Sequence, residues 1–415
     1  MIAKYFSLPR TVYILCLGTL VNRAGTFVLP FLTTYLQEEL KWPGATATYA
    51  SAVYGVGAIA AMLVGGHLAD RCGRKVMMLC SLFGAAVSLI AFSSVTSTAP
   101  VVGLLFLFAF LGEMYRPAAS AMIADVTPIV ARPQAFALMY VAVNLGFAIA
   151  TPLGGAISER SYQWLYRLDA LTSAAYAVII FVAIRETLHL ARGSPLGAAV
   201  HGGTPTRSHS SDDADTMRGA VRQILADRVF VLYWLATFAL CLLYMLAMTV
   251  LPLYLRQQGF SKQEYGWILG VNGMLIVVMQ LPVTAIVTRF PRKYMVPLSS
   301  VVTGIGFALT ALADRGWHHG AAVMVWTCGE IMNAPLMAAI IGDLAPPRLR
   351  ARYMGAFSVC FSLAMVVSPP VGGLVLEHAG PTVLWLGCAG LGIVSALLYS
   401  KATRLIPTPH LNVNS

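Results

Sequence analysis

The sequence predicts an all-α membrane protein in which twelve transmembrane helices form two six-helix bundles related by a pseudo-twofold axis. Three observations support this fold class. Hydrophobic residues make up 58% of the 415 residues and charged residues only 11%, whereas soluble domains contain about 45–50% and about 25%. Twelve apolar stretches have the length of a membrane span. The second half of the chain also repeats the first.

The composition excludes several classes of protein. A soluble enzyme, a disordered chain and a nucleic-acid-binding module all need more polar surface than this chain can supply. The net charge of +11 is therefore interpreted as a signal for membrane orientation. The seven cysteines stand singly, without a CxxC pair or a Cys/His cluster. Neither a disulfide framework nor a metal site is predicted, and no cofactor is expected.

Each predicted span has the length that a bilayer requires, which is about 20 apolar residues for a hydrocarbon core of about 30 Å. The spans of the first half lie near 11–36, 46–69, 76–96, 100–123, 134–158 and 166–186. Those of the second half lie near 229–255, 263–287, 294–313, 319–341, 351–376 and 380–402. The first run is longer than a signal-peptide core, so it is predicted to be retained as a span.

The spans divide the chain into an N-terminal bundle (1–186), a cytoplasmic linker (187–228), a C-terminal bundle (229–402) and a cytoplasmic tail (403–415). The linker is rich in Gly, Ser and Pro, which predicts a flexible segment. Near its end, apolar and basic residues occupy opposite helical faces: Val221, Ile224 and Leu225 against Arg218 and Arg222. An interfacial helix and a solvated helix start are both open interpretations of this pattern.

The distribution of basic residues predicts the orientation of the chain. An even number of spans places both termini on one side of the membrane. With the termini in the cytoplasm, 20 of the 28 basic residues lie in cytoplasmic segments and six in external loops, as the positive-inside rule requires. We therefore expect a multi-pass protein with cytoplasmic termini. The compact loops favour a bacterial inner membrane, and the protein is expected to be a monomer.

An internal repeat relates the two halves at a fixed offset of 218 residues. Between Pro117 and Ile157, eleven of 41 positions are identical to the residue 218 positions later. The repeated residues include Asp125/Asp343, Arg132/Arg350, Pro152/Pro370, Gly154/Gly372 and Gly155/Gly373. Apolar composition alone would produce about three matches and would not favour Pro, Asp and Arg. The two halves are therefore predicted to be homologous bundles related by an axis along the membrane normal.

Two motifs resemble a known family. Gly66-His-Leu-Ala-Asp70-Arg71-Cys-Gly73-Arg74-Lys75, between spans two and three, resembles the signature loop of the major facilitator superfamily. Thr151-Pro152-Leu-Gly154-Gly155, in span five, is similar to the antiporter motif of the twelve-span drug:proton antiporters, with Thr151 in place of the first Gly. This resemblance implies alternating access to a central cavity lined by spans one, four, seven and ten.

Prolines are expected to interrupt those four spans, at Pro30, Pro117, Pro252 and Pro335. In the signature loop, the glycines permit a tight turn, and Asp70 can contact a helix N-terminus or a basic partner and so hold one conformational state. Arg71, Arg74 and Lys75 are either part of that gate or positive-inside anchors. The repeated pairs Asp125/Arg132 and Asp343/Arg350 are likewise interpreted as gates or as loop anchors.

Four charged residues are predicted near the middle of the membrane: Arg23, Glu113, Arg116 and Glu330. Four unpaired charges there would cost on the order of 10 kcal/mol, so they must pair, be protonated or contact water. Glu113 and Arg116 are three residues apart and share a helical face. They form either a structural ion pair or, when substrate displaces the pair, a proton-carrying group.

Glu330 is the preferred proton-binding carboxyl, because no basic residue lies near it in its own span. A neutral, hydrogen-bonded acid that holds helices together is the alternative. Arg23 stays charged at physiological pH, so it must contact Glu113, Glu330 or an anionic substrate. The Arg that the antiporters have in span four would fall at Phe108, and Arg116 is the candidate to replace it.

The remaining candidates for the substrate cavity are amides: Asn22, Asn144, Asn272, Gln280 and Asn333. The leading hypothesis is a secondary active transporter that exchanges protons for an exported amphipathic or drug-like molecule. Symport or uniport of an anionic metabolite or peptide is the second hypothesis, since Asn22-Arg23 resembles the basic first-span motif of proton-coupled peptide transporters. A membrane sensor or scaffold is a third. The sequence contains no HExxH, GxSxG or P-loop motif, so enzymatic activity is not expected.

Overall fold

The computed structural model describes residues 8–128, 131–187, 217–345 and 350–405. Within these ranges the chain forms α-helices and one short 3-10 helix, at Thr310–Leu312, and no β-strand. The helices of the first half are α1 Arg10–Ala24, α2 Val28–Glu38, α3 Gly44–Cys72, α4 Arg74–Phe92, α5 Thr98–Val126, α6 Arg132–Arg160 and α7 Tyr162–Ala183. Those of the second half are α8 Met217–Ala226, α9 Arg228–Thr249, α10 Leu251–Gln257, α11 Lys262–Val287, α12 Arg292–Leu309, α13 Gly316–Leu344, α14 Arg350–His378 and α15 Pro381–Leu405.

The helices agree with the predicted membrane spans. Eleven helical stretches of the described residues are long and apolar enough to cross a bilayer, with α1 and α2 counted together as one stretch. The predicted span near 319–341 coincides with α13, which would extend about 44 Å at about 1.5 Å per residue. The predicted all-α membrane fold is therefore confirmed, and the observed helices fit twelve spans.

The prolines predicted to interrupt four spans do so in two of them. Span one breaks between α1 and α2, just before Pro30, and span seven breaks between α9 and α10, just before Pro252. Pro117 and Pro335 instead lie inside continuous helices of 29 residues. That part of the prediction was wrong. Proline removes one backbone hydrogen bond, and in hydrocarbon no water replaces the others, so a long helix continues around it.

The chain divides into two compact units. The first comprises the described residues within Met1–His209 together with Met245–Val277 and Met365–His378. In it, α5 packs against α3 and α4, and α7 packs against α4 and α1. The second comprises the described residues within Ser210–Tyr244, Val278–Ala364 and Ala379–Ser415, and there α12 packs against α13 and α15.

The predicted linker is described only at its ends. Residues 188–216 lie outside the described residues, and so do the side chains of Arg218 and Val221. Helix α8 forms at the predicted amphipathic segment. Its Ile224 is buried, whereas Leu225 and Arg222 are exposed. Only one of the two visible apolar residues therefore packs against the protein.

Candidate functional site

The break in span one is held against α7 by polar contacts. Asn22, near the end of α1, donates from Nδ2 to Ser173 Oγ at 3.0 Å. The backbone N–H groups of Phe27 and Val28, at the start of α2, donate to Asp169 Oδ2 at 3.1 Å and 3.4 Å. These donors are the ones that a helix start leaves without intrahelical partners. These contacts hold the last turn of α1 in a fixed orientation against α7.

Arg23 lies in that last turn and contacts span four. Its Nη2 donates to the hydroxyl of Tyr115 at 2.9 Å. A Cβ on Gly146 of α6 would lie 2.5 Å from Arg23 Cβ, so a glycine is needed for this close approach. Arg23 Nε is buried and has no hydrogen-bond acceptor among the described residues. The guanidinium is therefore held in place but is not fully paired within the described structure.

Glu113 is buried between two donors. Tyr54 of α3 donates to Oε1 at 2.9 Å, and Arg116 Nη1 lies 2.7 Å from Oε2. The Glu113 residue is 8% exposed, whereas the side chain of Arg116 is 52% exposed. The local ion pair between Glu113 and Arg116 is thus present in this structure. It favours the ionised form of Glu113, because two strong donors contact the carboxylate.

Arg23, Tyr54, Glu113, Tyr115 and Arg116 together form what we call the Arg23–Glu113 cluster. It joins spans one, two and four within the first unit. With Glu113 ionised, the cluster contains two positive charges and one negative charge. An apolar environment disfavours such an excess unless an anion or water compensates it. The cluster can therefore accept an anionic group. When such a group displaces Glu113 from Arg116, the freed carboxyl can bind a proton.

Asp169 is a buried acid that the sequence reasoning missed. It is 2% exposed and lies within α7, the helix of span six. The four charged residues predicted near the middle of the membrane did not include it. The available signal was its neighbour Ser173, one helical turn later, which marks a polar face on α7.

Glu330 lies on α13 in the second unit. Tyr244 and Cys241, both on α9, are close enough for its charge to act on them. Asn333, one turn further along α13, is buried next to Tyr399, whose hydroxyl lies 2.9 Å from Thr237 Oγ1. Glu330 thus lies in the same region of the second unit as a thiol and a hydroxyl group of α9.

The other predicted amides make mainly local contacts. Asn144 donates to the backbone oxygen of Tyr140 on its own helix, at 2.9 Å. Gln280 is buried and donates to Thr284 Oγ1 at 3.0 Å and to the Ile331 carbonyl at 3.4 Å. Asn272 is also buried. Their assignment to a substrate cavity stays a prediction.

The signature loop is a tight turn between α3 and α4. Gly73 has φ of 108°, a conformation that side chains disfavour. The backbone N–H groups of Arg74 and Lys75 each donate to a carboxylate oxygen of Glu186, at 2.9 Å. Glu186 therefore caps the N-terminus of α4, where a negative charge is favoured. In the sequence, Glu186 stands next to the basic Arg185, and this position does not indicate a capping role.

The basic residues of the loop have distinct partners. Arg74 Nε lies 3.5 Å from Asp125 Oδ2, and Thr187 donates to the same oxygen at 3.1 Å. Lys75 Nζ donates to the Phe181 carbonyl at 2.8 Å. Arg71 is exposed. The predicted roles of Gly66, Asp70, Asp343 and Arg350 depend on side chains that lie outside the described residues.

Arg132 does not contact Asp125 in this structure. It donates to the backbone oxygens of Ala124 and Thr127, at 2.8 Å and 3.3 Å. These carbonyls lie at the end of α5, where helical acceptors are left without intrahelical donors. Arg132 therefore anchors the loop after α5, while Asp125 pairs with the signature loop.

The antiporter-like motif lies in a glycine-rich seam between α6 and α11. A Cβ on Gly155 would lie 2.6 Å from the Lys262 carbonyl. A Cβ on Gly266 would overlap the Thr151 carbonyl, and one on Gly270 would lie 3.0 Å from Pro152. Both helices therefore contribute small residues, and their backbones come into contact.

A second polar cluster joins the two halves of the sequence within the first unit. Glu38, at the end of α2, forms an ion pair with Arg256, whose Nε lies 2.8 Å from Oε1. Its Oε2 accepts from Lys262 Nζ at 2.9 Å and from the Tyr162 hydroxyl at 3.0 Å. We call these four residues the Glu38 cluster. Glu159 adds a further contact, because it accepts the backbone N–H of Lys262 at 2.7 Å. Sequence reasoning did not identify this cluster.

Comparisons with known proteins agree with the predicted fold. The family model described as Major Facilitator Superfamily matches residues 15–333 and 233–414. The chain is 29% identical to a Na(+), Li(+), K(+)/H(+) antiporter of Planococcus maritimus, over 84% of this chain and 85% of the relative. It is 23% identical to the class H tetracycline resistance protein of Pasteurella multocida, over 94% of each chain.

Solved structures show the same fold at lower identity. A crystal structure of the peptide transporter POT matches with a TM-score of 0.78 and 16% identity, over 96% of each chain. The crystal structure of a D-xylose-proton symporter matches with a TM-score of 0.75 and 14% identity, over 94% of this chain and 96% of the other. At this identity the likeness concerns the fold.

Proposed function

Because the chain belongs to the Major Facilitator Superfamily and is a multi-pass membrane transporter, we propose that it exports a small amphipathic or drug-like molecule in exchange for protons. The bundles 1–186 and 229–402 are the moving bodies in this proposal. Both termini are cytoplasmic, the membrane is a bacterial inner membrane, and the transporter is a monomer. The antiporter relative supports exchange as the mode of transport, and the tetracycline resistance relative supports a drug-like substrate.

The observation that supports the proposal best is the Arg23–Glu113 cluster. Its carboxylate is buried in an apolar bundle and is stabilised by one tyrosine and one arginine. Protonation of Glu113 would remove its attraction for Arg116 and leave both guanidinium groups available. Proton binding therefore changes the charge of the cluster by one unit, and this change is the physical basis for competition between proton and substrate.

Glu330 is the second proton-binding group in the proposal. It lies on α13 near Tyr244 and Cys241 of α9, whereas Glu113 already forms an ion pair with Arg116. We assign the exchanged proton to Glu330 first, with Glu113 as the group that responds to substrate.

The test is coupled flux in proteoliposomes with pyranine enclosed as a pH indicator. Ethidium, a lipophilic cation, and carboxyfluorescein, an amphipathic anion, are the two probes. We expect a pH gradient to drive the flux of at least one probe, with proton movement in the opposite direction. Glu330→Gln should abolish this coupling, and Glu377→Gln, at an exposed position on α14, is the matched control.

Two outcomes would contradict the proposal. One is a probe flux that is indifferent to the pH gradient. The other is coupling that Glu330→Gln leaves intact while the variant remains folded. Proton and probe moving in the same direction would instead support the second candidate function.

That second candidate is symport or uniport of an anionic metabolite or peptide. The specific observation in its favour is the excess positive charge of the Arg23–Glu113 cluster, in which Arg23 Nε has no acceptor among the described residues. A carboxylate or phosphonate group would supply one. Uptake of carboxyfluorescein, but not of ethidium, together with protons would favour this function.

A further inference from the structure

Asp169 is a buried carboxyl that the proposed exchange does not use. Its Oδ2 accepts both backbone N–H groups at the start of α2. Its Oδ1 accepts no hydrogen bond from the part of the chain that the structure describes. One oxygen is thus occupied by the helix and the other is available to bind a proton.

The contact of Asp169 with α2 depends on its charge. An ionised carboxylate interacts favourably with the N-terminus of a helix and its unpaired N–H groups. A protonated carboxyl is a weaker acceptor and has no net charge, so its attraction for the helix start is smaller. Proton binding therefore weakens the attachment of α2 to α7.

Helix α2 connects this carboxyl to the Glu38 cluster. It has eleven residues, and those from Pro30 to Leu36 are all buried. Its first backbone N–H groups contact Asp169, and its last residue, Glu38, contacts Arg256 and Lys262. A short helix with contacts at both ends moves as one body, so a weaker contact at one end affects the other.

We propose that Asp169 is a further proton-binding site of this transporter and that its proton controls the position of α2 and, through it, the Glu38 cluster. This inference rests on the proposed function, because it adds a second proton site to a proton-coupled exchange. Protonated Asp169 favours release of α2, and ionised Asp169 favours the arrangement seen in the structure.

Few other charged groups act on Asp169. From α1, Arg23 contributes a positive charge that favours the ionised form. From its own helix α7, Tyr166 lies one turn earlier. At the start of α2, the backbone groups of Phe27 and Val28 contact it. Within the described ranges, no other charged side chain acts on Asp169. The titratable residue at the other end of α2 is Glu38, and the variant Glu38→Gln distinguishes its response from that of Asp169.

The experiment is hydrogen exchange of the full chain in lipid nanodiscs, followed by mass spectrometry, from about pH 9 to about pH 5, a range that includes perturbed carboxyl groups. The rates are corrected for the intrinsic pH dependence of exchange. Peptides that cover Val28–Glu38 should exchange about five- to tenfold faster at the lower pH, the size expected for loss of a helix cap. Peptides from α15 should show no such change.

Variants separate the possible origins of the response. Asp169→Asn should show fast exchange in α2 at every pH. Ser173→Ala, which removes the neighbouring contact to Asn22 but no titratable group, should retain the pH step. Glu38→Gln should raise the exchange of α2 throughout and still retain the step. A pH step that persists in Asp169→Asn would overturn the proposal.

Two further results keep the inference distinct from the proposed function. Glu330→Gln should retain the pH response of α2. The hydrogen-exchange experiment uses no substrate and no gradient, so a failure of coupled proton and probe flux in proteoliposomes would not affect its result. If Asp169→Asn does not fold, infrared difference spectra of the native chain with isotope-labelled aspartate replace it. A protonated aspartate band that appears over the same pH range supports the inference, and its absence overturns it.

Discussion

At the scale of single residues, the Arg23–Glu113 cluster shows how an apolar bundle tolerates charge. Each charge at the centre of a span costs about 2.5–3.5 kcal/mol on insertion scales. The contacts of Glu113 with Tyr54 and Arg116 offset part of that cost, because hydrogen bonds to charged groups contribute about 1.5–3 kcal/mol. Glu113 is therefore tolerated in its paired state, and its cost rises when either donor is removed.

We expect Glu113→Gln to lower the free energy of unfolding by about 1–3 kcal/mol, because the amide cannot compensate Arg116. Thermal unfolding of the purified protein would measure the change. Glu377→Gln, which removes an exposed carboxylate, should leave the midpoint almost unchanged. Equal midpoints for the two variants would show that the ion pair contributes nothing to stability.

At the scale of helices, the start of α4 is a tightly constrained junction. Gly73 adopts a conformation that only glycine tolerates well, and Glu186 occupies the space where a side chain would extend. The same carboxylate accepts the first two N–H groups of α4. The turn at Gly73 and the capping of α4 by Glu186 therefore depend on each other.

Gly73→Ala should destabilise this junction by about 1–3 kcal/mol, the range for a residue forced into a sparsely populated conformation. A Cβ at this position would also lie 2.5 Å from Glu186 Oε2. Unfolding in denaturant would measure the loss. Gly390→Ala is the matched control, because a Cβ there meets nothing within 4 Å. A Gly73→Ala variant as stable as this control would contradict the assignment.

At the scale of the whole molecule, the Glu38 cluster is placed to influence which conformation the transporter adopts. Its carboxylate belongs to the first half of the sequence, and its two cations belong to the second half. Alternating access requires such contacts to form in one state and to break in another. Partly exposed pairs contribute about 0.2–1 kcal/mol each, which is enough to shift a balanced equilibrium without locking it.

Glu38→Gln should therefore shift the conformational equilibrium by about two- to fivefold, as expected for the loss of one partly exposed pair. The reporter is Thr48→Cys in α3, a buried position next to Gly373 of α14. Maleimide labelling at constant pH would measure its accessibility. Glu264→Gln is the control, since Glu264 contacts only Ser261 in the described structure. Unchanged labelling in Glu38→Gln would refute the assignment.

How well the sequence predicts this structure depends on how far apart in the sequence the interacting residues lie. Spans depend on local composition, so their number and positions followed from the sequence, and the pair Glu113/Arg116 lies within one helical turn. The partners of Asp169, Glu186 and Glu38 are 142, 112 and 224 residues away. No local pattern marks such contacts, because packing creates them.

The proline positions show a second limit. Pro30 and Pro117 both lie inside predicted spans, yet only the first lies near a break between helices. The difference is that Asp169 satisfies the N–H groups exposed by the break near Pro30. An acceptor on another helix decides the outcome, and sequence reasoning had assigned Asp169 no such role.

The glycine seam between α6 and α11 has a mechanical consequence. Interlocked side chains resist sliding, since each must be withdrawn before its neighbour can pass. Where Gly155 and Gly266 bring one backbone against another, no side chain has to be withdrawn. The two helices can therefore rotate against each other through small angles. Their line of contact is suited to act as a hinge during a rocking motion.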